Sequence, residues 1–359
     1  MTDSDRLSRR TLLRGGIGAV VGAAGVAALA RGGGIAEAAG GGTLVYANYG
    51  GTYQELIKTA MFDPFSKATG IQVDYTADAS DVTKLISMAK LGHSEDDLVD
   101  AQGPVFAQLS SNGALQKLDP QIVARGRAEI NNPSLVTDFN VPYYQFSHNI
   151  FWNTSLVSGR MNSWADVWDV EKFPGKRGFG RLPWFNLEIA LAADGVPIER
   201  LYPLDVDRAF KSLDRIKPHA VFLDLNSETN AFATGEFVTG DLNLVRVKTI
   251  QKSGVKLQYT WNQAMIDVEQ LVVPAGAADR DAAMKAVDYS LDPDTQLRIM
   301  NVLGYTPTSK AALRRIPSEA AKDLPGTPQT VGHSFYLNAT WWAQNYRAVS
   351  ARFQAWLNS

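Results

Sequence analysis

Few residues in this 359-residue chain could do chemistry, and their spacing favours binding over catalysis. There is no cysteine, which removes disulfides, thiolate nucleophiles and thiolate metal sites together. The four histidines, His93, His148, His219 and His333, lie far apart in sequence, so a His-based metal site or acid–base pair has no local support. No G-x-S-x-G elbow, Walker loop or H-E-x-x-H pair occurs. Gly16-Ile17-Gly18 with Gly22 imitates a dinucleotide fingerprint, but it lies within the N-terminal export signal, residues 1–38, and carries no weight. Tyr143-Tyr144 could ligate ferric iron, although a buried strand carrying two aromatics is the commoner reading. What remains is paired charge. Asp267 and Glu269, two apart on an extended stretch, share one face. Arg181 and Arg246 are suited to clamp a carboxylate or phosphate bidentately. No metal and no cofactor is expected.

The N-terminus carries an address. Ser8-Arg9-Arg10-Thr11-Leu12-Leu13-Arg14 is a twin-arginine signature, followed by the apolar run Gly15 to Ala30 and the small-x-small site Ala36-Glu37-Ala38. The run is Gly-rich and falls short of the roughly twenty strongly apolar residues of a membrane span. Residues 1–38 are therefore expected to be a cleaved twin-arginine signal peptide that delivers the protein to the periplasm. Cleavage would remove five arginines and three acids from totals of 35 basic and 37 acidic residues, leaving a mature net charge near −4. A broadly basic nucleic-acid binder is excluded. Apolar content of 45% and eight tryptophans suffice for a packed core of one large or two medium domains.

Strands and helices alternate along the mature chain, which predicts a mostly parallel, doubly wound α/β sheet. Extended segments are expected at Thr43–Tyr49, Ile71–Tyr75, Asp97–Ala101, Val141–Asn153, Leu242–Val247, Val255–Trp261 and Gln270–Pro274. Helices are expected from a Thr52 cap through Phe62 and over Asp81–Leu91, Pro104–Ser111, Trp164–Trp168, Leu187–Ala193 and Val206–Lys217. Later ones are expected over Asp281–Ser290, Pro293–Leu303 and Trp341–Leu357. No Pro/Ser-rich linker appears, so two lobes would be joined by strands.

A series of motifs then resembles one family. Asn48-Tyr49-Gly50-Gly51-Thr52-Tyr53 before a helix, Phe65-x-x-x-Thr69-Gly70-Ile71-x-Val73 and Ser163-Trp164-Ala165-Asp166-Val167-Trp168 are similar to periplasmic spermidine/putrescine-binding proteins. The segments 187–196 and 201–210 extend the likeness. So do Trp261-Asn262-Gln263, Val272-Val273-Pro274, Gly304-Tyr305-Thr306-Pro307-Thr308 and Trp341-Trp342-Ala343-Gln344-Asn345, and the series covers essentially the whole mature chain. The resemblance implies a type II periplasmic binding fold, two doubly wound α/β lobes joined by crossover strands with a ligand cleft between them. Lobe 1 would comprise residues 43–142 plus about 270–310, and lobe 2 about 143–269 plus 311–359. The expected function is the soluble substrate-binding component of an ABC importer, a monomer with no enzymatic activity. Its partners would be a small-molecule ligand, either a polyamine or a zwitterionic amine, held in the interlobe cleft, an ABC permease and, during export, the twin-arginine translocase. A twin-arginine-exported enzyme and a non-transport sensory binding protein stay open as alternatives.

Mapped position by position, Tyr49 resembles the family's first aromatic wall residue, able to face an ammonium group or stack on a planar ligand. Gly50, Gly51 and Thr52 would expose backbone N–H groups, and Gln102-Gly103 falls at the second family contact. Trp184 and Phe185 stand where the family places amine-binding acids, with Arg181 alongside. Asn243 replaces a wall tryptophan and precedes Arg246. Glu269 coincides with a family amine-binding acid, with Asp267 on its face, and Tyr305 and Trp342 complete the set, Trp342 being favoured over Trp341 for the cleft. The acid-lined box of a polyamine site is half present. The mixture of acids with Arg181 and Arg246 suits a ligand carrying both an amine and an acid group better than spermidine.

Overall fold

The computed structural model describes residues 42–79 and 81–359; the expected signal peptide and its cleavage site lie outside them. Eleven strands are present among the described residues. They are β1 (Thr43–Ala47), β2 (Gln72–Thr76), β3 (Leu98–Gln102), β4 (Val141–Asn153), β5 (Arg177–Gly180) and β6 (Ala220–Leu223). They continue as β7 (Thr239–Asn243), β8 (Leu257–Tyr259), β9 (Ala264–Val272), β10 (Thr306–Pro307) and β11 (Ser334–Tyr336). The sheet runs β2-β1-β3-β9-β4-β7-β5-β6, with β8 and β10 added to β4 and β11 to β9.

The sheet is mixed rather than mostly parallel. Its flanks are parallel, β1 against β2 and β3, and β5 against β6 and β7. Its middle is antiparallel, because β9 pairs with β3 and β4, and β4 pairs with β7. The two long central strands interrupt the strand–helix alternation that argued for a parallel sheet. Strand β4 pairs β9 through Val141–His148 and β7 through His148–Trp152, so one strand serves both flanks. Both central strands are buried along their whole length. Such strands read as near-continuous apolar runs, so the polar residues inside them, Asp267, Glu269 and His148, stand out.

Local sequence sets the helix starts. Side chains of Asp81, Asp205, Asp279, Asp292 and Asn338 each accept an amide N–H of the first helical turn. Ser163 and Asp166 form a reciprocal capping box at Trp164–Trp168. Gly70 and Gly304 end their helices in the left-handed conformation. The expected Thr52 cap is corrected: Gly50 is the N-cap of the helix Gly51–Ile57 and offers no side-chain acceptor. That helix passes through a wider π turn, Lys58–Phe62, into Asp63–Thr69.

The segment Leu242–Val247 is also corrected. It is not extended throughout, because β7 stops at Asn243 and a helix runs over Leu244–Lys252. The Asn243 side chain accepts the Val245 amide at 2.9 Å and starts that helix, outweighing the β-branched character of Val245 and Val247. An Asn243→Ala variant should lose about 1 kcal/mol of unfolding free energy, read by urea denaturation; an unchanged midpoint would show the cap to be without effect.

Candidate functional site

The register of the central strands assembles a wall. Glu269 of β9 lies opposite Gln102 of β3 and Tyr144 of β4, and Asp267 lies opposite Phe146. Directly opposed residues and residues two apart share a face, so these five side chains line one side of the sheet. Tyr49 joins them from the loop after β1, its hydroxyl donating to Glu269 Oε1 at 2.7 Å. The turn that brings it there needs Gly50, whose φ is 67° and ψ −171°. The Gly50 amide in turn donates to Asn48 Oδ1 at 2.6 Å.

Gly103 opens the helix Gly103–Ser111 directly against the Asp267 carboxylate. A Cβ at that position would stand 2.6 Å from Asp267 Oδ1, so only glycine permits this approach.

Three carboxylates are buried here without an ion-pair partner among the described residues. Asp267 is 4% exposed; Oδ1 accepts the Val268 amide at 2.8 Å and Oδ2 has no hydrogen-bond partner. Burial pushes its pKa up to about 7. Glu269 is raised well above the usual carboxylate range by burial and then by the neighbouring Asp100 charge, against the Tyr49 hydrogen bond. Asp100, two residues before Gln102 on β3 and on the same face, is raised to about 6 by burial even though the hydroxyls of Tyr46, Tyr53 and Tyr143 all donate to it. The Tyr53 hydroxyl also lies 3.0 Å from that of Tyr144, whose ring stacks on Tyr305 at 4.6 Å and 10°. Buried acids with no cation of their own hold protons or await a cationic ligand.

A second group faces them from the helix Pro183–Ala193 and the C-terminal helix Ala339–Leu357. Phe185 has φ 70° and ψ −54°, a strained conformation for a residue with a side chain, and it stacks on His148 at 3.9 Å. His148 Nδ1 lies 2.6 Å from Asp241 Oδ1. Trp184 is buried with its Nε1 unpartnered, against Trp342 and Tyr346. Trp342 is fully buried and donates its Nε1 to Glu188 Oε1 at 2.8 Å, while Trp341 is only partly buried. Glu188 also accepts the Tyr202 hydroxyl at 2.6 Å, keeps Oε2 unpartnered, and is raised to about 7, mainly by burial.

The remaining expected residues are placed differently. Asn243 pairs with His148 across β7 and β4, its side chain occupied as a helix cap. Arg246 projects from the helix Leu244–Lys252, half-buried, and its guanidinium reaches Thr229 at 3.1 Å. Its charge is felt by Tyr305 and by the buried Glu228. Thr52 and Arg181 are exposed. Sequence reasoning missed Tyr144, His148, Asp100 and Glu188. For Glu188 a signal existed, a single acid within the apolar run Leu187–Ala193.

A curled mixed sheet with its polar residues gathered on the shared central strands is the arrangement of the type II periplasmic binding proteins. The family model of bacterial extracellular solute-binding proteins matches residues 60–328, and the chain belongs to that family. The gamma-aminobutyric acid-binding protein of Pseudomonas aeruginosa is 29% identical over 303 residues, 83% of this chain and 86% of the relative. Haemophilus influenzae spermidine/putrescine-binding periplasmic protein 1 is 24% identical, covering 76% of this chain and 78% of its own length. Among solved structures, the Atu4243–GABA receptor is 34% identical with a TM-score of 0.81, over 88% of this chain and 97% of that one. AgtB from A. tumefaciens R10 in complex with agropinic acid is 31% identical with a TM-score of 0.79, over 89% and 99%. The protein is thus a solute-binding protein of the ABC-transporter type.

Proposed function

We propose that this protein captures a small amine that also carries an acid group and delivers it to an ABC permease in the periplasm. The observation that carries this reading is the pair Asp267 and Glu269, buried on one face of β9 beside Tyr49 and Tyr144, with no cationic side chain among the described residues bonded to either. An ammonium group would supply both the missing charge and the missing donors, with the Tyr49 ring available to its face. The acid end would lie toward Arg246, and the unpartnered Trp184 Nε1 offers a donor for a ligand oxygen. The likeness to proteins named for γ-aminobutyrate, at 29% and 34% identity, supports one amine and one acid over a polyamine.

Ligand capture would close two lobes, residues 43–142 with about 270–310 and about 143–269 with 311–359, on either side of β4 and β9. The protein would act as a monomer without catalysis, exported by its twin-arginine signal. Titration calorimetry with γ-aminobutyrate, putrescine and spermidine tests the reading. Micromolar or tighter binding of γ-aminobutyrate, with both polyamines at least tenfold weaker, is expected; nanomolar spermidine binding without γ-aminobutyrate binding would overturn it.

A further inference from the structure

His148 stands where β4 passes from β9 to β7, pairing with Met265 on one side and Asn243 on the other. It is 8% exposed. Asp241 Oδ1 takes its Nδ1 at 2.6 Å, and its Nε2 has no hydrogen-bond partner among the described residues. Phe185 lies flat on the ring, with centroids 3.9 Å apart and planes 21° from parallel. A buried imidazole fixed at one edge and one face, with its second nitrogen unused, is oriented for a partner the chain does not supply.

The surroundings of that nitrogen suit an anion. His148 faces the same side of the sheet as Phe146, the residue opposite Asp267, and lies one same-face step of about 7 Å further along the strand. That step is comparable to the reach of extended γ-aminobutyrate, so an amine held at Asp267 brings its acid end beside His148. Asn243, opposite His148, is the N-cap of the helix Leu244–Lys252, whose positive end therefore opens next to the imidazole. Arg246 stands in the first turn of the same helix.

We infer that His148 anchors the acid group of the ligand, as an imidazolium that donates Nδ1–H to Asp241 and Nε2–H to the ligand carboxylate. This rests on the reading of the site as a binder of an amine that also carries an acid. An imidazolium donates from both ring nitrogens at once; a neutral ring bonded to Asp241 through Nδ1 turns a lone pair toward the ligand instead. In the complex Asp241 and the ligand carboxylate flank the cation from opposite edges, and the Phe185 ring covers its face. Asp241 is then a positioning residue, which fixes the tautomer and the orientation of the ring. A ligand without an acid group leaves the buried Nε2 unmet, and discrimination by unmet hydrogen bonds is far stronger than discrimination by size.

The test compares γ-aminobutyrate with n-butylamine, in which a methyl group replaces the carboxylate, by calorimetry in the wild-type protein and in His148→Gln. A melting curve checks that the variant folds. Wild type should prefer γ-aminobutyrate by about 100-fold or more. His148→Gln should lose about 10- to 100-fold in affinity for γ-aminobutyrate and little for n-butylamine, so that the preference shrinks by the same factor. Imidazole nitrogen NMR of the wild-type protein gives a readout independent of the variant: both His148 nitrogens should carry protons in the γ-aminobutyrate complex. An unchanged preference, equal losses for both ligands as a purely structural His148 would give, or an Nε2 without a proton in that complex overturns this inference while leaving amine binding intact. Failure of wild type to bind γ-aminobutyrate overturns the proposed function along with it.

Discussion

An Asp267→Asn variant should bind γ-aminobutyrate at least about 100-fold more weakly than wild type, because it removes a buried charge from a charge-assisted hydrogen bond. The same change should flatten the pH dependence of stability. In the ligand-free protein the Asp267 pKa is raised from its ordinary 3.8 to about 7 by burial. Between those values the folded state holds a proton that the unfolded chain has released. The stabilising contribution is therefore complete below about pH 4 and is lost as pH rises through 7. On this account ligand-free wild type is less stable at pH 8 than at pH 4, with Asp267 contributing on the order of 4 kcal/mol. Glu188, raised to about 7, and Asp100, raised to about 6, act in the same direction. Asparagine cannot ionise, so the variant should lose the Asp267 share of this slope. Urea unfolding at pH 4, 6 and 8 provides the measurement, and a slope equal to that of wild type would refute the assignment. Bound ammonium favours the ionised acids, so wild-type affinity should rise as pH increases toward 8.

A Gly240→Ala variant should lose about 3 kcal/mol of stability or more. Gly240 lies in β7 opposite Phe151 of β4 and Gly178 of β5, held from both sides. A Cβ there would collide with the Gly178 carbonyl oxygen and approach the Phe232 ring to 2.9 Å. A backbone oxygen in the middle of a sheet cannot step aside as a flexible side chain does. Since Gly240 leads directly into Asp241 and Asn243, the strand that carries the His148 partner should be disturbed as well. The urea midpoint should fall with an unchanged slope. A midpoint matching wild type would mean that the sheet accommodates the methyl group.

The elements most legible in the sequence were those specified locally. Val141–Asn153 and Pro293–Leu303 coincide with their expected bounds, the first through a long run of aromatic and branched residues and the second through its Asp292 cap and closing Gly304. The short strands Arg177–Gly180 and Ala220–Leu223 and the helix Leu225–Ala233 were not expected, and tertiary pairing rather than local pattern defines them. The site divides in the same way. Asp267 and Glu269 were readable because a two-residue spacing on a strand declares a shared face. Glu188 was not, since its partner Trp342 is 154 residues away, nor was His148, whose Asp241 is 93 residues away. The histidine was set aside for want of a nearby second histidine, whereas its partner was a carboxylate on the adjoining strand.

The alternation of the two central strands has a consequence for how ligand preference can diverge. Positions 265, 267 and 269 of β9 and 144, 146 and 148 of β4 face one side of the sheet. The residues between them turn to the other side, as in the Gln145–Val268 and Ser147–Ile266 pairs. Side chains on the first set can be exchanged while the second keeps the sheet packed on its reverse. If the proposed site is the one that meets the ligand, six places in two strands form a small, separable alphabet, in which a new solute could be spelled without rewriting the scaffold that presents it.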